Sequence, residues 1–591
     1  MTERLPFPTP PSTDPWQPSA PPSLEGQSTV AIDLETTGLK WWDGHRPIGI
    51  SLTTAAPNST CYLPFGHHGG PNLCEATVKR WCREQLKSKH LIGLNIKFDL
   101  HHLREWLDLD LGATNSCGDV AHSAALLHTR RTHGYSLDRL AQDFLGTRKA
   151  GRDLDAARMA EYPSTAVRDR AESDAKLVWD LEQVFHPQLS AAGLQRVKLL
   201  ENQLIWPVLA MEARGCPIDL DRLHRWIADS EQDFLRLLWQ IYRATHLNIN
   251  PSSPHDLTRL CQKLNLSITD TADGRPSFTD DLLAAYHHPV IDLVRQARKL
   301  ASLRSKYLLK YRDAISPDGR LRYALHQLRS DTFGTISGRF SSSALVRGTG
   351  GGLNIQQIPS RERQVSSMGD DYVIRTLHRP AAGRWLSADA SQIEYRIFSG
   401  LCGNPTVLRQ YARQPDTSFH HLVWEEMKAH GHPHLLYKTA KAVSFAKIYG
   451  AGSARIASML GIPNAQDIIR LYDRVLPEVA PMLARTAQAA KRQGYITTPL
   501  GRRLELREGH FRALNRLIQA TAADVLKQKI VDVFSGVPSF TLRFTVHDEI
   551  CGDALDDHAA QDVQRLLNTQ SLDTAIPLLW DVTTGETWGD C

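Results

Sequence analysis

Ile32-Asp33-Leu34-Glu35-Thr36 places two acids two positions apart inside an apolar, β-branched run that begins at Thr29. Side chains alternate along a strand, so Asp33 and Glu35 point to one face. Neighbouring carboxylates repel and raise each other's pKa unless a cation sits between them. A hard divalent ion with oxygen ligands resolves that repulsion. Taken alone, such a pair is equally at home on a solvated strand face. Two further segments add acids from other elements: Asp99 in Asn95-Ile-Lys-Phe-Asp99, and Asp174 in Arg170-Ala-Glu-Ser-Asp174 at the start of a helical pattern. Four carboxylates drawn from three elements suit a two-metal site, in which ions ~3.5–4 Å apart activate water and stabilise the oxygen leaving phosphorus.

A second set lies in the C-terminal half. Trp385-Leu-Ser-Ala-Asp389 reads as a strand ending in an aspartate, and Ser391 is then the expected N-cap of a helix through Glu394 and Arg396. Leu542–Val546 is a strand, followed by His547-Asp548-Glu549 and a second strand, Ile550-Cys-Gly. By itself Asp548 is an ordinary turn residue. Paired with Asp389 it supplies two aspartates on adjacent strand ends, the minimum for two Mg²⁺ ions in phosphoryl transfer. Between them, Lys438, Lys441, Phe445 and Tyr449 are spaced three, four and four residues apart, one face of a helix. The two ammonium groups can neutralise a triphosphate and the rings can stack on a base. An amphipathic core helix with snorkelling lysines fits the same spacing.

The elements that must hold these residues follow from pattern. With 591 residues the size prior is about four domains of ~150 residues. Residues 1–27 form a Pro-rich, extended and flexible tail. Residues 28–185 alternate short apolar runs with helical patterns, an α/β domain. From about Leu194 to Leu328 the pattern is mostly helical, and 329–591 mixes strands with long helices. Arg347–Leu353 is Gly-rich without the Lys-Ser/Thr ending of a P-loop, hence a connection. Lys+Arg is 69 against 64 Asp+Glu, a net +5 that permits nucleic-acid binding without requiring it. Nine cysteines with no C-x-x-C pair argue against a zinc site or a disulfide framework and fit a reducing compartment. No apolar run reaches the ~18 residues of a membrane span, and the N-terminus lacks a signal-peptide core. A soluble, cytoplasmic protein is expected.

The first carboxylate set, with Asp-x-Glu-Thr-Thr-Gly-Leu and Asn-x-x-x-Asp, resembles the DEDD 3′–5′ exonucleases that proofread for family A DNA polymerases. The second set resembles motifs A, B and C of that polymerase family. Supporting matches occur in order: Thr335-Ile-Ser-Gly-Arg339, Asn354-Ile-Gln356-Gln357-Ile-Pro359, Gly501-Arg502-Arg503, Asn515 with Gln519, and the closing Trp580–Trp588 stretch. The resemblance covers about residues 28–591. It implies an RNase H-like exonuclease domain over 28–190, followed by a right-hand polymerase domain over 195–591. Within that domain the thumb spans about 195–330, the palm 331–400 and 512–591, and the fingers 400–511. Asp389 and Asp548 would bind the catalytic metals, with His547 and Glu549 beside them. Lys441, Lys438, Gln392, Glu394, Phe445 and Tyr449 would form the nucleotide site, Glu394 excluding a 2′-OH. Phe445, where a tyrosine would favour dideoxynucleotides, implies discrimination against them. Arg339, Asn354, Gln356, Gln357, Arg502, Arg503, Asn515, Gln519 and His547 would contact DNA. Asp33, Glu35, Asp99 and Asp174 would bind the exonuclease metals.

The chain departs from the family in places. Arg170 stands where the exonucleases carry a water-orienting tyrosine, and is a candidate contact for the scissile phosphate. Tyr437 replaces an arginine before the motif B lysine, Ala390 a tyrosine and Ser444 an asparagine. The fingers histidine is either His420 or His421. The resemblance implies Mg²⁺ at two ions per site (Mn²⁺ as the alternative), primer–template DNA and dNTPs as partners, replication accessory proteins as further candidates, and a monomer. The chain has no room for a 5′-nuclease domain, which favours a phage replicase acting in the host cytoplasm. A single-subunit phage-type RNA polymerase is the alternative enzyme, and a DNA-binding protein that has lost synthesis the alternative from another class. Glu394 and the exonuclease motifs argue against the first, and the joint presence of Asp389, Lys441 and Asp548 against the second.

Overall fold

The structure is a computed structural model that describes residues 15–271, 273–330, 333–345, 353–361, 364, 371–430 and 433–591. Residues 1–14 of the Pro-rich segment and 347–352 of the Gly-rich connection lie outside them.

The N-terminal domain is built on a sheet of strands β1 (Thr29–Thr36), β2 (Pro47–Thr53), β3 (Cys61–Pro64), β4 (His90–Gly93) and β5 (Ser116–Asp119), in the order β3-β2-β1-β4-β5. β1 runs parallel to β4 and antiparallel to β2. Both faces of β1 are covered, which explains its nearly unbroken apolar run. Val30, Ile32 and Leu34 pack with Leu100 and Leu103 of helix α1 (Ile96–Leu107). Ala31 joins Leu177, Val178 and Leu181 of helix α2 (Ser164–Ala191). By strand alternation Asp33 and Glu35 share the face of Ala31, toward α2. The sequence expectation of a tail that does not pack is corrected for residues 15–27. Pro22 O accepts the Trp81 indole N–H at 2.6 Å, Leu24 N–H donates to Gln85 at 2.8 Å, and the Leu24 side chain is buried. Trp16 packs on a cluster that contains Ile48 and Tyr62. Proline removes donors but leaves acceptor carbonyls, and Trp16 and Leu24 supply the apolar anchors.

Helices α3 (Gln195–Arg214) and α4 (Leu220–Thr245) open the remainder of the chain. Its second sheet is antiparallel, with β6 (Arg384–Ala390), β7 (Phe540–Val546), β8 (Glu549–Ala554) and β9 (Trp580–Gly585) in the order β7-β8-β6-β9. Helices α5 (Ile393–Cys402), α6 (Tyr437–Ile448) and α7 (Ala513–Gly536) complete the frame. Ser391 is not the cap of α5. Its N–H donates to Leu579 O at 2.9 Å, and Gln392, at φ +49°, is the N-cap.

A buried ionic cluster ties α3 and α7 to the turn that carries Arg502 and corrects one expectation. Arg502 is almost fully buried and cannot touch DNA directly. Its Nε lies 2.6 Å from Asp524 of α7, and one of its terminal nitrogens, Nη2, contacts Glu201 of α3. Lys527 of α7 adds a 2.6 Å contact to the same Glu201 oxygen. The two cations hold the Glu201 carboxyl down at about 2 against its burial. Replacing Arg502 by Met leaves the buried Asp524 without its cation, and Glu201 with Lys527 alone, and should cost ~3–5 kcal/mol of stability. Urea unfolding of the purified variant checks this. An unchanged midpoint would mean that the cluster does not support the fold.

Candidate active sites

The N-terminal site gathers on one face of β1. Ligand oxygens of Asp33, Glu35 and Asp174 all lie within 4.8 Å of one another. Burial, and then the charge of Asp174, pushes the Asp33 carboxyl far up. Glu35 rises to about 7, chiefly through burial and against the pull of Arg170. Asp99 is buried beside them but stands outside that tight group. β1 pairs with β4 over Thr29–Ala31, and further along Asp99 Oδ1 accepts the N–H of Leu34 at 3.0 Å. Arg170 Nε lies 3.4 Å from Glu35 Oε1, and Lys149 binds Asp174 Oδ2. Asp174 Oδ1 is buried without a partner among the described residues. An open oxygen in a cluster of mutually repelling acids fits a divalent cation.

The C-terminal site lies where β6 meets the β7–β8 hairpin. Asp389 is the penultimate residue of β6, and Asp548 sits in the hairpin turn with His547 at φ +57°. The N–H of Ala390 donates to Asp548 O at 3.2 Å, so the two aspartates are neighbours although 159 positions separate them. Burial, and then the charge of Asp548, pushes the Asp389 carboxyl up to about 7. Asp548 is raised too, mainly by burial. Gln356 braces the turn, its Oε1 accepting His547 N–H at 2.8 Å and its amide donating to Thr545 O. Asn354 accepts the Gln356 N–H at 3.0 Å, and Gln357 faces a cavity of about 290 Å³ shared with Lys306 and Lys310. Glu549 is not free at the site. Ser387 and the Trp588 indole N–H (2.8 Å) bind one of its oxygens, and Arg375 binds the other at 3.2 Å.

Helix α6 buries Ala440, Val443, Ser444 and Ala446 and leaves Lys438, Lys441 and Phe445 exposed. Core packing therefore uses a different face from the two lysines. Phe445 and Tyr449 stack with ring centroids 4.4 Å apart. Tyr449 OH donates to Glu394 at 2.7 Å and also hydrogen-bonds Gln519, while Arg339 ion-pairs with the other Glu394 oxygen. Arg339 thus meets Glu394 rather than standing apart from it. Gln392 Oε1 accepts the Phe419 N–H at 3.2 Å, starting the helix that carries both candidate histidines. His420 is buried edge-on to Tyr395 at 4.2 Å, and burial lowers it to about 4, whereas His421 points outward. Asn515 Nδ2 is buried without a partner among the described residues. Arg503 lies over the Tyr495 ring at 4.7 Å.

Comparison with known proteins gives these sites a context. The family model for DNA polymerase family A matches residues 220–590. The chain belongs to that family. A 3′–5′ exonuclease model matches residues 21–190, so the polymerase carries an exonuclease domain ahead of its DNA-synthesising part. Among relatives, DNA polymerase DpoZ of Salmonella phage PMBT28 is 25% identical and covers 93% of this chain and 95% of its own. The DNA-directed DNA polymerase of Pseudomonas phage M6 is 27% identical, covering 96% and 95%. The POL domain of Pol1 from M. smegmatis, solved with DNA primer–template and dNTP, shares the fold at a TM-score of 0.74 and 20% identity, covering 95% and 96%. The protein is a DNA-directed DNA polymerase with a 3′–5′ exonuclease domain, and both domains work with divalent metal. The RNA polymerase and lost-activity alternatives fall with that assignment. Among the described residues no helix is long and apolar enough to cross a membrane.

Sequence reasoning missed Lys149 and Arg375. Neither lies in a spaced motif; each reaches its carboxylate only through the fold.

The raised Asp389 carboxyl has a stability consequence. Its folded pKa lies above the unfolded value, so its contribution is present below about pH 4 and is lost as pH rises through about 7. In EDTA at pH 8, Asp389→Asn should therefore melt above the parent chain, and at pH 4 the two should coincide. Calorimetric melting at the two pH values reads this. A variant less stable at pH 8 would contradict the penalty assigned to burying the charged Asp389 beside Asp548.

Proposed function

We propose that the polymerase extends the 3′ end of a primer with dNTPs on a DNA template, using Mg²⁺ held by Asp389 and Asp548, and removes mispaired ends at its N-terminal site. The observation that carries this reading is the juxtaposition of Asp389 and Asp548 through the Ala390–Asp548 hydrogen bond. When bound there, divalent ions supply activation of the attacking oxygen and stabilisation of the leaving one. The chain's own residues do the positioning. Asp389 and Asp548 present carboxylates from two strand ends, and Gln356 and the Glu549 network keep those ends in register. Lys438 and Lys441 neutralise the triphosphate from the open face of α6, and the Phe445–Tyr449 stack receives the base. Glu394, held by Tyr449 and Arg339, walls off the 2′ side of the sugar. Gln357, Asn515, Gln519, Arg503 and His547 line the path of the duplex, with Arg339 joining them when it leaves Glu394. In the exonuclease domain Asp33, Glu35 and Asp174 hold metal directly and Asp99 supports them.

The reading includes a thumb over 195–330, a palm over 331–400 and 512–591, and fingers over 400–511. It also includes a monomer in replication of a phage genome within a host cell, with Mn²⁺ able to replace Mg²⁺.

Single-site variants separate the two activities. Asp548→Ala should abolish primer extension and leave removal of a mismatched 3′ nucleotide intact. Asp174→Ala should do the reverse. Loss of both activities in either variant would contradict independent sites. Glu394→Ala should raise ribonucleotide incorporation relative to dNTP at least ~10-fold, the scale of one removed steric contact. Extension with NTPs in place of dNTPs measures it, and an unchanged ratio would remove Glu394 from sugar selection.

A further inference from the structure

The N-terminal carboxylates already have two side-chain cations among them. Arg170 reaches Glu35, and Lys149 binds Asp174 Oδ2. Lys149 stands in the turn after the helix Leu137–Leu145, and its backbone is anchored on both sides. Its own N–H donates to Asp138 Oδ1 at 3.2 Å. The N–H of Ala150 donates to Ser173 Oγ at 3.3 Å, next to Asp174 itself. Gly151 O accepts from Arg170 at 3.2 Å. Gly151 has φ +56°, and a Cβ there would come within 2.7 Å of Arg170 Cβ, so only glycine lets the turn close this tightly on α2. Two of the three anchors belong to the helix that carries Asp174.

This arrangement leaves Asp174 with one oxygen on Lys149 and one buried oxygen open. A divalent ion drawn to Asp33, Glu35 and Asp174 must therefore share Asp174 with an ammonium group, and like charges at such range repel. The second site differs: among the described residues no lysine or arginine ion-pairs with Asp389 or Asp548. We propose that Lys149 is a resident cation of the exonuclease site that competes with the divalent metal for Asp174. The exonuclease then needs a higher metal concentration than DNA synthesis does. Arg170 becomes a positioning residue that ties Glu35 to the Lys149 turn. This inference rests on the assignment of Asp33, Glu35 and Asp174 as metal ligands.

The test is calorimetric titration of Mg²⁺ into the full chain carrying Asp389→Ala and Asp548→Ala, with Lys149 intact or changed to Met, Gln or Arg. Lys149→Met and Lys149→Gln should each bind Mg²⁺ about tenfold more tightly, the effect of removing one nearby charge. Lys149→Arg should match the parent. The Mg²⁺ concentration that half-saturates mismatch removal should fall by the same factor in Lys149→Met. In EDTA, Lys149→Met should melt below the parent, because three acids lose a counter-charge. Equal or weaker Mg²⁺ binding by both neutral variants would overturn the proposal. Mg²⁺ binding unchanged by Asp174→Ala would instead overturn the ligand assignment beneath it.

Discussion

Carboxylates held closer together than their charges tolerate are the constraint around which this polymerase is organised. Asp33, Glu35 and Asp174 on one side, and Asp389 with Asp548 on the other, are gathered at a cost that a cation must offset. Each site spends rigid structure on that gathering. β1 is covered on both faces, so Asp33 and Glu35 cannot turn away from α2. The β7–β8 hairpin is braced by Gln356 and hydrogen-bonded to the end of β6, so Asp548 cannot swing from Asp389.

The two sites meet their charge differently. The exonuclease carboxylates are partly neutralised from within, by Lys149 and Arg170. Among the described residues no lysine or arginine ion-pairs with Asp389 or Asp548, and the arginines whose charge reaches them pair with other acids, Arg339 with Glu394 and Arg375 with Glu549. Within the polymerase part, the Glu201–Arg502–Asp524–Lys527 cluster is the opposite case. There every buried charge is matched by protein, so the cluster has no need of an ion and serves to hold α3, α7 and the 498–502 turn in place.

Much of this was legible in the sequence, for physical reasons. Strand alternation put Asp33 and Glu35 on one face, and helical spacing put Lys438, Lys441, Phe445 and Tyr449 on another. What the sequence could not show was partnership across distance. Arg502 and Arg503 look alike as a turn, yet one is buried against Glu201, 301 positions away, while the other lies over Tyr495. Gln356 was legible as a residue near DNA; its role as a brace depends on a hairpin 189 positions downstream. Lys149 is a lone lysine in a turn, and only the anchors at Asp138, Ser173 and Arg170 give it direction. The Pro-rich segment reads as loose because proline excludes helix and central strand, but its carbonyls and Trp16 find a surface on the exonuclease domain.

The most direct measurement is anomalous scattering from Mn²⁺-soaked crystals of the chain bound to primer–template and a nucleotide. The account predicts a peak on the order of 2 Å from carboxylate oxygens of both Asp389 and Asp548. Density between these aspartates with no anomalous signal, or metal ligated by other residues, would contradict it.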